Sequence, residues 1–545
     1  MDRVHGFNTL KNGGNMIRIK NVKLKYGEDK NSLLDKACKK IRIQKENVES
    51  YSIFRESLDV RKKDNIFYIY TLDLKVKNES KILKTNKNPD VTMAEYIKYE
   101  YPKADIKPNT RPIVVGFGPA GMFAALILAQ TGFKPIVFER GRDADNRLKD
   151  IEKLRTEGIL NPNSNVQFGE GGAGTFSDGK LNTRIKNPRS RKVMEEFVLN
   201  GAPEEILYAH NPHIGTDRLV GVVKNIRERI ISLGGEIHFE SCITDIKTEN
   251  GKIKSVVVNN DKEIPCHDII LSVGHSARDT FEMLYKKDIK MIQKPFAMGA
   301  RIEHKQSMIN KSQYGDEKKA EYFGPAEYKL TYTASNKRGV YTFCMCPGGY
   351  VVPAASEENM SAVNGMSYYD RGGENANSAL LVQIFPEDFG TDHPLGGMYM
   401  QRELEKKAFE MAGGGYKVPA QSVGDFLNKN SAPQFEHIKT TYKPDVTLCN
   451  LDKLFPKYMT DAMREGIVAM GRKIKGFDSP DALLTAPESR SSSPVRIERN
   501  ADNFFSVSAE GLYPCGEGAG YAGGIVSAAV DGISAAEMVV KRYNR

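Results

Sequence analysis

Three glycines in a short stretch have the spacing of a phosphate-binding turn. Gly116, Gly118 and Gly121 form G-x-G-x-x-G after an apolar run at 112–117 and before an alanine-rich run at 121–130. The first glycine permits a tight turn, the second lets the backbone approach a pyrophosphate, and the third lets a helix pack closely on a sheet. The N-terminus of that helix directs free N–H groups and positive potential at phosphates. This pattern predicts a dinucleotide site rather than a turn without a ligand. We expect Pro119 and Ala120, which lie between the second and third glycines, to contact the dinucleotide as well.

An acidic residue follows at the distance expected for a ribose contact. Residues 135–138 read as a second buried strand, and Glu139 lies at its end, 18 residues after Gly121 (139 − 121). A carboxylate there can accept hydrogen bonds from both ribose hydroxyls and repels a 2′-phosphate, so we do not expect NADP at this site. We place the neighbouring Arg140 in the same predicted site.

A second glycine-rich motif lies near the end of the chain, at residues 511–525. It resembles the late flavin motif of the glutathione-reductase-like FAD superfamily, in which an apolar strand ends in Gly-Asp before a helix that faces the flavin. Gly516 and Glu517 take those two positions here, and Glu517 departs from the usual Asp by one methylene. The resemblance implies FAD as cofactor, with Glu517 near the ribityl chain. It also implies that the helix starting near Gly524 and Ile525 points at the ring.

Two further matches support FAD. An apolar strand at 269–273 ends in Gly274-His275 and resembles the small-residue turn that lies near the cofactor in the superfamily. Ile243 takes the position where relatives present backbone to adenine. The flavin superfamily is therefore favoured over NAD enzymes that share the first turn.

Most of the chain resembles the bacterial FAD-dependent dehydrogenases of largely unassigned substrate. The motifs that carry this resemblance lie at 57–63, 168–181, 343–349, 490–497 and 516–525. It implies an FAD-dependent oxidoreductase, of dehydrogenase or reductase type, that acts on a small molecule whose identity the sequence leaves open. In such enzymes a hydride arrives at the flavin N5 and leaves to an acceptor, while the protein orients the reactants.

The glycine-rich loop at 169–174 has more glycines than a turn requires. We expect Gly171, Gly172 and Thr175 to lie against the flavin or pyrophosphate, and a mobile lid is the alternative. In disulfide reductases the comparable loop carries a cysteine pair. This loop has no cysteine, so a flavin–disulfide relay at that position is excluded.

Three residues are candidates for catalysis. His275 adjoins the predicted cofactor turn. Cys346 pairs with Cys344 in a C-x-C within 340–346, where strand periodicity would put both on one face as a redox or nucleophilic pair, or simply as packing. Arg490 precedes a serine-rich turn and either binds an anionic substrate group or belongs to a turn capped by hydroxyls. No second Cys/His pair has ligand spacing, so no metal site is expected.

These motifs require an α/β fold with a discontinuous Rossmann-type FAD-binding domain. We predict this domain at 109–290 and 452–545, a β-rich α+β substrate or cap domain inserted at 291–451, and a small basic N-terminal α/β domain at 1–108. In the N-terminal domain, 16–24 reads as a strand, 32–41 as a helix, and 52–60 and 66–76 as paired strands.

Charge and composition leave two rival functions open. Residues 1–110 carry 24 Lys and Arg against 15 Asp and Glu, a balance of +9, while the rest is nearly neutral. The basic segment is either a solvated surface or a nucleic-acid contact, so a flavoprotein RNA-modifying enzyme is one rival, and a non-catalytic flavin sensor is the other. No second G-x-G-x-x-G exists, so NAD(P)H, if used, visits the flavin transiently. Seven cysteines without framework spacing and no membrane-length apolar run predict a cytoplasmic protein with no membrane partner, whose oligomeric state stays open.

Overall fold

The computed structural model describes residues 16–96, 98–181, 187–430 and 439–544. Within these ranges the chain is mixed α/β, and its strands form six sheets, of which the three largest have four, five and seven strands. No helix in the described ranges has the length and apolar character needed to cross a lipid bilayer.

The N-terminal unit is a four-stranded sheet in the order β2-β3-β1-β4 with a helix packed on it. The first two strands and the first helix lie where their alternating and helical patterns predict them, and β2 pairs antiparallel with β3 as expected. Leu33, Leu34, Ala37 and Ile41 form the buried face of the helix. Its elements are β1 (Ile17–Lys25), α1 (Ser32–Ile41), β2 (Val48–Asp59), β3 (Phe67–Val76), α2 (Glu79–Thr85) and β4 (Val91–Met93).

The second unit is built around a five-stranded parallel sheet in the order β23-β11-β5-β6-β7, in which β23 is Leu512–Pro514 and the other four strands are given next. Its first part contains β5 (Ile113–Val115), α3 (Pro119–Gln130), β6 (Ile136–Phe138), α4 (Ala144–Glu157), α5 (Pro188–Leu199), α6 (Thr216–Ser232), β7 (Glu236–His238), β8 (Ile243–Glu249), β9 (Lys252–Val258), β10 (Lys262–Pro265), β11 (Ile269–Leu271) and α7 (Arg278–Lys286). The helix α3 is apolar on all sides because the sheet, α6 and the C-terminal helix enclose it.

The third unit is a seven-stranded sheet in the order β14-β15-β18-β13-β21-β19-β20. Its residues, with flanking elements, are β12 (Met291–Gln293), β13 (Phe296–Lys305), α8 (Gln306–Tyr314), α9 (Ala320–Phe323), β14 (Thr331–Thr333), β15 (Gly339–Cys346), β16 (Tyr350–Pro353), β17 (Val363–Met366), β18 (Asn375–Ile384), α10 (Gly396–Met411), β19 (Val418–Ser422), α11 (Val423–Asn428), β20 (Val446–Leu448), α12 (Lys457–Gly471) and β21 (Leu483–Glu488).

The chain then returns to the parallel sheet through β22 (Val495–Ile497), β23 (Leu512–Pro514) and α13 (Ile525–Arg542). Residues from both ends of the chain therefore share one sheet, and α13 packs along α3. The return comes later than the boundary at 451/452 predicted from sequence. β21 pairs with β13 and β19, so residues up to Glu488 belong to the seven-stranded sheet.

Candidate functional site

A cavity of about 630 Å³ lies at the carboxyl ends of the parallel strands, beneath the seven-stranded sheet. All five strands send their following loops to it, and this is the edge at which open α/β sheets bind ligands. The first turn, the 169–174 loop and the start of α13 line one part of it, and β15 with Glu488 lines the other. Chain segments more than 400 residues apart in sequence, such as Gly118 and Gly524, therefore meet in one cavity.

The surrounding protein constrains the glycines of the first turn to different degrees. A Cβ on Gly121 would lie 1.9 Å from the carbonyl oxygen of Gly116, so this position serves helix–sheet packing. A Cβ on Gly118 would meet nothing closer than the Cα of Gly172 at 3.6 Å, and the backbone of Gly118 is extended rather than left-handed. Neither the backbone conformation nor the packing of the protein therefore requires glycine at position 118. The helix begins at Pro119, two residues earlier than the apolar run predicts, and no side chain caps its N-terminus.

Glu139 is fixed by backbone donors at the end of β6. Its Oε1 accepts hydrogen bonds from the N–H groups of Gly141 and Gly169, both at 2.9 Å, and its Oε2 accepts from Phe117 at 2.8 Å. The carboxylate still borders the cavity and retains acceptor capacity at Oε2. Glu139 thus ties the first turn and the second glycine-rich loop to the sheet while presenting an oxygen to a ligand.

The glycine-rich loop is held in place by Arg147 of α4. This fully buried guanidinium donates to the carbonyl oxygens of Glu170 and Gly172 at 2.7 and 3.0 Å. Gly172 packs on Gly118 and lines the cavity, whereas Gly171 and Thr175 pack against each other behind it. These contacts describe a fixed cradle rather than a lid.

Glu517 and His275 lie together where the late motif meets the cavity. The His275 Nε2 and Glu517 Oε1 atoms are 3.9 Å apart. Loss of solvent around the Glu517 carboxyl raises its pKa to about 7, although the positive charge of Lys294 acts to lower it. Burial, together with Arg490 and Arg278, lowers the pKa of His275 to about 3, so its imidazole is neutral at physiological pH. At this separation the two side chains do not share a direct hydrogen bond, and the Glu517 carboxyl is the one of the two that can hold a proton near neutral pH.

Arg490 is committed to an internal ion-pair network. Its Nε and Nη2 atoms donate to Glu405 at 3.0 and 2.7 Å, and its Nη1 donates to Ser276 at 3.2 Å and to Ser356. Glu405, which is fully buried, also accepts two hydrogen bonds from Arg278 at 2.9 Å. The two guanidinium groups hold the pKa of Glu405 well below its usual range. With its donors so occupied, Arg490 shapes the cavity wall, and the geometry does not favour anion binding by it.

Four charged residues that the sequence did not single out individually gather at the far end of the cavity. Arg371 donates to Asp178 at 2.6 Å and to Glu327 at 2.6 Å. The Lys180 Nζ donates to the carbonyl oxygen of Met345 and lies 3.9 and 4.0 Å from Asp178 and Glu327. Asp178 and Lys180 fall within the 168–181 motif, which was the only signal for them in the sequence.

The C-x-C segment departs from regular strand geometry. The pairing of β15 with β18 shifts register between Phe343 and Cys346, and Cys344 has φ +42°. Both cysteines line the cavity, but Cys344 is open to it and Cys346 is 1% exposed. Strand alternation predicted that Cys344 and Cys346 lie in equivalent positions on one face. This does not hold here, because the bulge changes the direction of the chain between them.

Most residues predicted for the site border this one cavity. Gly121, Gly171, Thr175 and Gly516 do not; they pack behind its wall, where a Cβ on Gly516 would lie 2.8 Å from that of Ala120. The predicted residues that line it are Gly116, Gly118, Pro119, Ala120, Glu139, Arg140, Gly172, Ile243, Gly274, His275, Cys346, Arg490, Glu517, Gly524 and Ile525.

Comparison with known proteins gives two family matches. Residues 295–491 match the family described as "FAD-dependent protein, C-terminal domain-like", and residues 16–75 match a domain of unknown function. The first match coincides with the span from β13 to β21, which supports the later return to the parallel sheet seen in the fold.

Solved structures resemble the chain only distantly. An L-amino acid deaminase from Proteus vulgaris is 11% identical, with 38% of this chain and 63% of that chain covered and a TM-score of 0.24. A geranylgeranyl bacteriochlorophyll reductase-like protein from Thermoplasma acidophilum is 12% identical, with 79% of each chain covered and a TM-score of 0.34.

A full-length relative is much closer. An uncharacterized protein of Clostridium beijerinckii (strain ATCC 51743 / NCIMB 8052) is 48% identical over 530 residues, which cover 97% of this chain and 99% of that protein. The chain therefore belongs to the same family as this Clostridium beijerinckii protein.

Proposed function

We propose that this protein is an FAD-dependent oxidoreductase that acts on a small molecule in the cavity beneath the seven-stranded sheet. The observation that carries the proposal is the single cavity that runs from the Gly116–Gly118 turn to the start of α13 and on to β15. The family match of residues 295–491 to FAD-dependent proteins supports it independently of that geometry.

Three of the glycines that border the cavity, Gly118, Gly274 and Gly523, are explained better by a cofactor than by the fold. A Cβ on Gly274 or Gly523 would meet no atom within 4 Å, and one on Gly118 would meet only Gly172. None of these three has a left-handed backbone. Neither turn geometry nor packing requires glycine at these three positions, and the open space beside them supports a ligand that approaches the backbone closely.

Two helices begin at the cavity without side-chain caps, α3 directly after Gly118 and α13 directly after Gly524. Their first N–H groups are available to a ligand, and each helix end adds positive potential. The end of α3 and its turn would hold the diphosphate, while Glu139 accepts from the ribose. The end of α13 would face the flavin ring, with Glu517 toward the ribityl chain. The flavin supplies two-electron redox chemistry when bound.

The remaining cavity wall would position the substrate. Lys180 and Lys329 provide ammonium groups, and Phe343 provides an apolar face. Two acids nearby, Asp178 and Glu327, are balanced by one buried arginine, Arg371. The neutral imidazole of His275 can donate or accept one hydrogen bond at the cofactor end without adding charge. An electron donor, NAD(P)H or the substrate itself, would reach the flavin through this part of the cavity.

Two measurements test the function. The purified protein is expected to show a flavin absorption spectrum and to release FAD on denaturation, as identified by mass spectrometry. In anaerobic stopped-flow experiments, bleaching of the flavin by NADH, by NADPH or by a substrate supports an oxidoreductase. A flavin that none of a broad set of small-molecule donors reduces would contradict the enzymatic role and favour a sensor.

A further inference from the structure

The two cysteines of β15 are the nucleophilic groups of the far cavity wall that the proposed function leaves without a task. Cys344 is open to the cavity rather than packed against neighbouring side chains, so core packing does not explain it. Cys346 lies two residues on, buried but also at the cavity surface.

The backbone between the two cysteines departs from regular strand geometry. Residues i and i+2 of a regular strand have Cα atoms about 6.6 Å apart, near the upper limit of about 6.8 Å for a disulfide. Here the strand is bent by a bulge at this point, and Cys344 adopts φ +42°. The Sγ of Cys346 donates to the carbonyl oxygen of Cys344 at 3.3 Å, so this sulfur is turned back toward residue 344.

A buried cation is placed behind the pair. Arg301 donates through Nη1 to the carbonyl oxygen of Cys344 at 3.0 Å, and the same Nη1 lies 4.0 Å from the Cys346 Sγ. Its Nε donates to Glu488 at 2.7 Å, and it is fully buried. Arg301 thus fixes the bend of the backbone and offers positive charge to a sulfur that develops negative charge.

We propose that Cys344 and Cys346 form a reversible disulfide that exchanges two electrons with the flavin. This inference rests on the proposed binding of FAD in the same cavity. In this proposal the cysteine pair stores two electrons on the sheet that covers the cofactor. Its position differs from that of the 169–174 loop, which has no cysteine.

The exchange balances without another reactant. When the pair reduces the flavin, both S–H bonds break, one S–S bond forms, and two electrons with two protons pass to FAD to give FADH2. The reverse step cleaves the S–S bond and returns both protons to sulfur. Burial raises the pKa of the Cys346 thiol, while Arg301 opposes this shift. A thiol at its ordinary pKa of about 8.5 is also mostly protonated at neutral pH, so both protons of the reduced pair move with the electrons.

The test counts electrons in the oxidised holoprotein. Anaerobic titration with dithionite, followed by the flavin spectrum, is expected to consume four electrons per FAD, two for the flavin and two for the disulfide. Cys344→Ser and Cys346→Ser are each expected to consume two. Cys449→Ser is the matched control, because Cys449 does not line the cavity, and it is expected to consume four.

A second readout needs neither activity nor a variant that folds. Trypsin cleavage after Arg338 and Arg371 releases residues 339–371, whose only cysteines are Cys344 and Cys346. From oxidised, alkylated protein this peptide should be two hydrogens lighter than the dithiol and carry no alkyl group, and after reduction it should carry two. An alkylated pair and two electrons per FAD would overturn the disulfide while leaving FAD binding intact. A protein that takes up no FAD overturns the proposed function itself.

Discussion

Substitution by alanine is expected to affect FAD binding at Gly118 and folding stability at Gly121, the second and third glycines of the first turn. In Gly118→Ala the new methyl group meets only Gly172 at 3.6 Å and the backbone is already suited to alanine, so the free energy of unfolding should change by less than about 1 kcal/mol. The methyl group instead enters the space proposed for the diphosphate. An overpacked contact costs about 1–3 kcal/mol, so FAD affinity should fall about 5- to 150-fold.

Gly121→Ala should act on the fold. Its Cβ would lie 1.9 Å from the Gly116 carbonyl oxygen and 2.5 Å from the Ser272 Oγ, both of which belong to the sheet edge. The helix α3 must shift to admit it, and we expect a loss of about 3 kcal/mol or more in the free energy of unfolding. The larger Gly118→Val should remain folded and lose its colour.

FAD titration of the flavin-free variants, followed by flavin fluorescence, measures affinity. Urea unfolding followed by far-UV circular dichroism measures stability, because the chain has no tryptophan to report it. The reasoning is refuted if Gly118→Ala binds FAD as tightly as the wild type, or if it unfolds as readily as Gly121→Ala.

Three other substitutions test the remaining parts of the site. Glu517→Gln should stabilise the flavin-free protein above pH 7 by up to about 3 kcal/mol. The reason is that folding raises the pKa of this carboxyl from 4.5 to about 7, so that its ionisation above pH 7 destabilises the folded state. Below about pH 4.5 the carboxyl is protonated in both states, and the gain should vanish. Urea unfolding across pH measures it. Glu139→Gln should cost about 1–3 kcal/mol and weaken FAD binding, because one amide N–H group would face the backbone donors; unfolding and FAD titration measure the two effects. Glu405→Gln should lower the free energy of unfolding by about 3 kcal/mol or more, as it leaves Arg278 and Arg490 buried without a counter-charge, and thermal unfolding measures it.

Each of these three substitutions has a result that would contradict its prediction, and the pH series also has a control variant. Glu358, on the exposed surface, gives the matched Glu358→Gln control for the pH series. A Glu517→Gln gain in stability that is the same at every pH would contradict the raised pKa of this carboxyl. Unchanged stability of Glu139→Gln would argue against its backbone contacts, and a stable Glu405→Gln protein would show that the arginines do not depend on it.

The parts of the site that follow from local sequence were predictable. The first turn, Glu139 and the start of α13 each depend on a short pattern in which glycine spacing, an apolar strand and a helix follow one another. The alternating residues of the N-terminal unit likewise predicted its first strands, because side chains of a half-buried strand alternate between core and solvent.

Contacts between distant segments were not predictable. Glu405 and Arg278 lie 127 residues apart, and no local pattern pairs them. The seven-stranded sheet takes β21 from beyond the predicted boundary, because its pairing with β13 is decided by tertiary packing rather than by the chain segment that precedes it. The bulge at Cys344 was also missed, since period two describes only regular strands.

Identification of the ligand released by the purified protein tests the central claim most directly. The account predicts a yellow protein whose denatured supernatant contains FAD, at about one molecule per chain. A well-folded preparation that is colourless and that binds no FAD when the nucleotide is added in excess would contradict it.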